Sequence, residues 1–125
     1  MATSCIRFSG IAAFGAMLAL MSPSTAHAAT SCTGGFVCVY DRLNPTAQGA
    51  QRVGIYEQPT LGFQRLTHPQ RNFSLVNARV TGRVELKVSW AATGAEATWC
   101  VKPGRSTAGP GYILTAVRIG WTDRC

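Results

Sequence analysis

The chain has 125 residues, with 12 basic against 5 acidic side chains, 13 glycines, 6 prolines and 5 cysteines. That length holds one domain, and only 14% of the residues are charged. The arginines are scattered with no run of three, which argues against a nucleic-acid-binding stripe.

Residues 1–28 differ from the rest. Arg7 precedes the uncharged apolar run FSGIAAFGAMLALM, and Ala26-His27-Ala28 follows as a small-residue cleavage site. This order is that of a secretory signal peptide. The apolar run is shorter than the ~20 residues a membrane-spanning helix needs, and no second one follows, so an exported protein with no membrane span is expected. Cys5 precedes the apolar run and is not at the cleavage site, so no lipid anchor is expected. The mature domain is then 29–125, with a net charge of +6 once Arg7 is removed. Such a charge suits anionic surfaces or acidic partners, or it simply solubilises the surface.

Four cysteines remain: Cys32, Cys38, Cys100 and Cys125. An even number in a small exported domain reads as two disulfides. Zinc is the competing reading, but no C-x-x-C pair is present and His68 is the one histidine left, so no metal is expected. Three pairings are possible. The most economical joins Cys32 to Cys38 and Cys100 to Cys125, stabilising by roughly 2.4 and roughly 3.5 kcal/mol in the chain-entropy model.

Along the chain the apolar pattern has period two. FVCVY, 36–40, and RVGIY, 52–56, read as strands, the second with Val53 and Ile55 on one face. Residues 41–51 and 57–73 carry proline and glycine and read as loops. LVNARV, 75–80, places Val76, Ala78 and Val80 on one side, Thr81-Gly82 reads as a turn, and RVELKVSW, 83–90, alternates Val84, Leu86, Val88 and Trp90 inward. Together they predict a β-hairpin. AEATWCV, 95–101, is a further strand, KPGRSTAGPG, 102–111, a loop without cysteine, and GYILTAVRIGW, 111–121, alternates Ile113, Thr115, Val117, Ile119 and Trp121 on one face. No segment after the signal has a helical period. The fold class is all-β, a sandwich or small barrel.

Catalytic chemistry is not indicated. Asp41, Glu57, Glu85, Glu96 and Asp123 are dispersed. Glu85 and Glu96 could approach across adjacent strands as a carboxylate pair, but surface glutamates more commonly solvate. His68 falls in a turn, and no serine sits in a nucleophile elbow. Trp90 and Trp121 read as core, and Trp99 as packed on the disulfide at Cys100.

The opening C-T-G-G-F-V-C-V-Y-D, soon after a signal peptide, resembles the small secreted actinobacterial metalloprotease inhibitors typified by the Streptomyces metalloproteinase inhibitor. FSLVNARVTGRVELKVS and WCVKPG are similar to later segments of that family, so most of the mature chain is covered. The resemblance implies a single βγ-crystallin-like domain of two Greek keys packed as a sandwich, stapled by two disulfides; apart from it, a monomer without cofactor is expected. It also implies a partner, a secreted thermolysin-type zinc protease, and a reactive bond at Cys100–Val101, flanked by Trp99, Lys102 and Pro103. Val101 supplies the bulky apolar side chain such enzymes select, and a disulfide at Cys100 lowers the ordering cost of binding. The calcium motif of the crystallin fold is not met by QRNFSL, 70–75, where Arg71 stands at an oxygen-ligand position. The alternative is a cationic secreted module acting on an anionic cell envelope, similar in scaffold to streptomycete killer-toxin-like proteins.

Overall fold

Alternation decides the central strands. In the computed structural model, which describes residues 31–125, Val84, Leu86 and Val88 are buried while Glu85, Lys87 and Ser89 are turned away from the core. The same period-two logic builds six strands: β1 (Val37–Tyr40), β2 (Arg52–Tyr56), β3 (Gln64–Asn77), β4 (Val84–Trp90), β5 (Glu96–Val101) and β6 (Ser106–Ile119). All pairs are antiparallel, and the hydrogen-bonded order is β2-β1-β3-β6-β4-β5. The described residues form no helix, hence none long and apolar enough to cross a membrane. Residues 1–28, expected from the sequence to be a signal peptide, lie outside the described residues.

The all-β expectation holds, with one sheet continuous through all six strands. β3 and β6 are 14 residues each, and both change partners along their length. Phe73–Val76 pair with Ser106–Gly109 beside β1, whereas Gln64–Arg71 pair with residues 113–117 beside β4. The change falls at Asn72, with φ 54°, and Gly111, with φ 80°. Asparagine and glycine are the residues that tolerate this left-handed backbone, and Gly111 N donates to Asn72 Oδ1 at 2.7 Å. A Cβ on Gly111 would overlap the Trp90 ring. Val37, Val39, Phe73 and Leu75 from the first half meet Leu66, Val84, Leu86, Val88, Val101, Leu114, Val117 and Ile119 from the second in one core cluster.

Several local expectations change. Residues 75–90 do not form a hairpin, because β6 lies between β3 and β4; the tight hairpin is β4–β5, closed by Trp90 N donating to Ala95 O at 2.8 Å. Turn residues mark where a chain reverses but not which strand it then pairs with. The core phase of β3 is Phe73, Leu75 and Asn77, while Val80 is exposed. Residues 64–71 are strand and not loop: they are polar because only Leu66 among them faces the core. Pairing lapses between Arg65 and Gln70, which lets Pro69 and the exposed His68 bulge outward. Residues 106–111 likewise belong to β6. A register shift in its pairing with β4, between Lys87 and Val88, changes the inward set to Leu114, Val117 and Ile119. Trp90 and Trp121 are exposed and are not core.

Candidate functional site

Both disulfides take the economical pairing, Cys32–Cys38 and Cys100–Cys125, with Cα atoms 5.8 and 5.7 Å apart. The second one ties the C-terminal segment to β5, an edge strand that pairs with β4 and leaves its outer backbone unpaired by any other strand of the sheet. Along β5 the side chains alternate. Cys100 stands on the outer face opposite Glu85, while Trp99 and Val101 face inward opposite Leu86 and Val84. Trp99 packs against Tyr112 and Phe73, with ring centroids 4.7 and 6.1 Å away. It therefore points away from the disulfide, a correction to the expected packing. Val101 is 5% exposed and belongs to the core cluster.

After Val101 the chain reverses over Lys102–Arg105, with Arg105 N donating to Lys102 O at 3.2 Å. Pro103 supplies the preset φ of the second position and Gly104, at φ 76°, the left-handed third, the arrangement of a type II turn. Lys102 and Arg105 are exposed and Pro103 is half-buried.

Asn77 holds this turn in place. It is fully buried, and its Nδ2 donates to Val101 O at 3.1 Å and Gly82 O at 3.0 Å. Its backbone N donates to Arg105 O at 2.9 Å, and its carbonyl accepts from Gly104 N at 2.8 Å. Its Oδ1 accepts from Arg79 N at 3.2 Å. One side chain thus braces the end of β5 and the preceding 78–83 connection together. A buried amide is tolerated because its polar atoms are satisfied. Asn77 was missed as a functional residue by sequence reasoning; the available signal was a polar residue continuing the Phe73, Leu75 core phase.

Beside Cys100 lies a charged cluster. Glu85 Oε2 accepts from Arg83 Nε at 2.7 Å, and Oε1 accepts from Arg118 Nε at 3.1 Å and from Nη2 of the same guanidinium. The Arg118 hydrogen bond, aided by Arg83, holds the Glu85 carboxyl below its ordinary value against the opposing effect of burial. Arg118 and Lys87 also stack over Phe63, at 4.3 and 5.0 Å from the ring centroid. Such stacking is favourable because the ring face is electron-rich.

The two glutamates considered as a carboxylate pair do not meet in the strand register. Glu85 pairs with Cys100 at one end of the β4–β5 ladder and Glu96 with Ser89 towards the other, and Glu85 is occupied by two arginines. Among the described residues no three His, Cys, Asp or Glu side chains converge as a metal site. Against protein-family models, curated proteins and solved structures, the chain finds no match.

Proposed function

We propose that this protein is a secreted inhibitor of an extracellular thermolysin-type zinc protease, docking through the edge of β5 and the Lys102–Arg105 turn. The observation that carries the reading is the bracing of that segment: a disulfide at Cys100 and the four hydrogen bonds that Asn77 exchanges with Val101, Gly82, Gly104 and Arg105. A preordered segment binds without the entropic cost of being fixed, and a free strand edge can add to a protease's substrate-binding backbone. The cysteine spacing at the start of the domain and the WCVKPG segment, similar to the inhibitor family, support the same reading.

The Cys100–Val101 bond remains the reactive bond in this proposal, with one geometric condition. Val101 faces the core, so its side chain can enter a protease pocket only if the end of β5 separates from Val84. Uncovering that side chain costs about 2 kcal/mol. The condition favours slow cleavage, and Cys100–Cys125 keeps a nicked chain joined.

Titration of the oxidised domain against thermolysin and a subtilisin-type serine protease tests the proposal. The expected result is stoichiometric loss of thermolysin activity alone, weakened at least ~10-fold in the Lys102→Glu/Arg105→Glu variant, whose two side chains are exposed. Mass analysis after reduction should show a slowly accumulating cut between Cys100 and Val101. Rapid digestion of the domain, or undiminished thermolysin activity, overturns the reading.

A further inference from the structure

The three most exposed large apolar side chains among the described residues are Val80 at 89%, Leu61 at 85% and Trp121 at 63%; the next, Ile55, is 47% exposed. They are distant in sequence, yet they stand on three segments bound to one another. Thr60 N donates to Ile119 O at 3.3 Å, and Arg83 N to Thr122 O at 2.8 Å. Arg118 Nη1 donates to Leu61 O at 2.7 Å. Gly82 N donates to Asp123 Oδ1 at 2.6 Å, and Arg79 Nη1 to Glu57 O at 2.5 Å. Leu61 and Trp121 line one shallow surface hollow together with Arg83 and Arg118, and Val80 stands on the neighbouring connection.

The energetic oddity is local. An exposed apolar residue is ordinary by itself, but here the most exposed ones are gathered at one end of the molecule. Their segments are held by backbone hydrogen bonds and arginine side chains. Four arginines, Arg79, Arg83, Arg118 and Arg124, share these segments or their supports, and Lys102 and Arg105 lie on the adjoining turn. Glu57, Glu85 and Asp123 are the acids there, which leaves the end net positive, on a domain of net charge +6.

We infer that this end docks on an anionic lipid surface. Tryptophan and leucine enter the boundary between headgroups and acyl chains, where an amphipathic ring is favoured, and the net positive charge of the surrounding segments attracts the anionic headgroups. The apolar tips select lipid over a hydrated polyanion, which would take up the arginines but leave Leu61, Val80 and Trp121 in water. The association is peripheral: three side chains bury too little surface to insert a domain. Its apolar anchors, Leu61, Val80 and Trp121, are not those of protease binding, although the Lys102–Arg105 turn adjoins both surfaces.

Co-sedimentation with vesicles tests the inference, using phosphatidylglycerol mixed equally with phosphatidylcholine, and phosphatidylcholine alone. The expected result is binding to the anionic vesicles, with a blue shift of tryptophan emission that is lost in Trp121→Ser. Leu61→Asp/Trp121→Ser should partition at least about tenfold less, the scale set by two apolar side chains that no longer leave water. Both positions are exposed, so the far-UV circular dichroism of the variant should match the parent. Absence of binding to anionic vesicles overturns the inference. So does undiminished binding by the double variant, which would assign the attraction to charge alone. Capture by a soluble polyanion without vesicle binding would instead point to a hydrated polymer and also overturn it.

Discussion

The two halves of the sheet share a plan and differ in how they end. In each, the first strand is central, the second forms the outer edge and the third runs along the seam: β2-β1-β3 on one side, β5-β4-β6 on the other. The β2 edge is five residues with Gly54 at its middle and Val53 and Ile55 exposed. The β5 edge turns Trp99 and Val101 inward and is tied at its end by Cys100–Cys125 and Asn77. The disulfides divide likewise. Cys38 is buried in a central strand, whereas Cys100 and Cys125 are exposed at an edge. Shared topology therefore leaves the edges free to differ, and the β5 edge is the one that is covalently and polarly fixed.

The largest blow to this difference should come from removing the outer disulfide. Cys100→Ser/Cys125→Ser is expected to lower stability by about 3.5 kcal/mol, the chain-entropy value for a ring of that size, as read by urea denaturation. Asn77→Asp comes next. The substitution keeps the shape but replaces the donor, leaving the Gly82 and Val101 carbonyls facing a carboxylate. A loss of about 3 kcal/mol is expected for the two buried bonds. Amide hydrogen exchange should show it as loosening around Val101–Arg105 with β1 and β2 little changed; uniform loosening of both halves would show that Asn77 braces the whole fold and not one edge.

Glu85→Gln should have the smallest effect, about 1–2 kcal/mol at neutral pH, for charge-assisted bonds that are partly exposed. Its pH dependence sharpens the point. The folded carboxyl titrates below its unfolded value of about 4.3, so the contribution is full above that pH. It is lost as pH falls through the depressed folded value. The parent should therefore lose stability on acidification across that window more steeply than Glu85→Gln; parallel profiles would mean that the Arg118 and Arg83 contacts do not persist in solution.

Much of the fold was legible because burial writes itself as alternation. FVCVY, RVGIY, RVELKVSW and AEATWCV each overlap an observed strand, and cysteine economy found both disulfides. The segments that escaped did so for identifiable reasons. Gln64–Arg71 has one buried residue, so no apolar period exists to detect. Residues 106–111 hold Pro110 and Gly111, which punctuate a chain locally even where pairing with β3 continues past them. In β6 a register shift resets the phase, so a strict alternation from Ile113 to Trp121 misplaced the core. At the candidate site, Cys100, Val101, Lys102 and Pro103 were named from the sequence, but their exposure and the role of Asn77 were not.

Local chemistry determined on its own the all-β class, most strand positions and the economical cysteine pairs, since these rest on period-two burial and short chain separations. Only the tertiary structure decided that β6 intervenes between β3 and β4, that Val101 turns inward while Lys102 and Arg105 turn out, and that Leu61, Val80 and Trp121 gather at one end. Those outcomes depend on which strand edges meet and how registers shift. They are fixed by contacts between residues tens of positions apart, which no local pattern of side chains encodes.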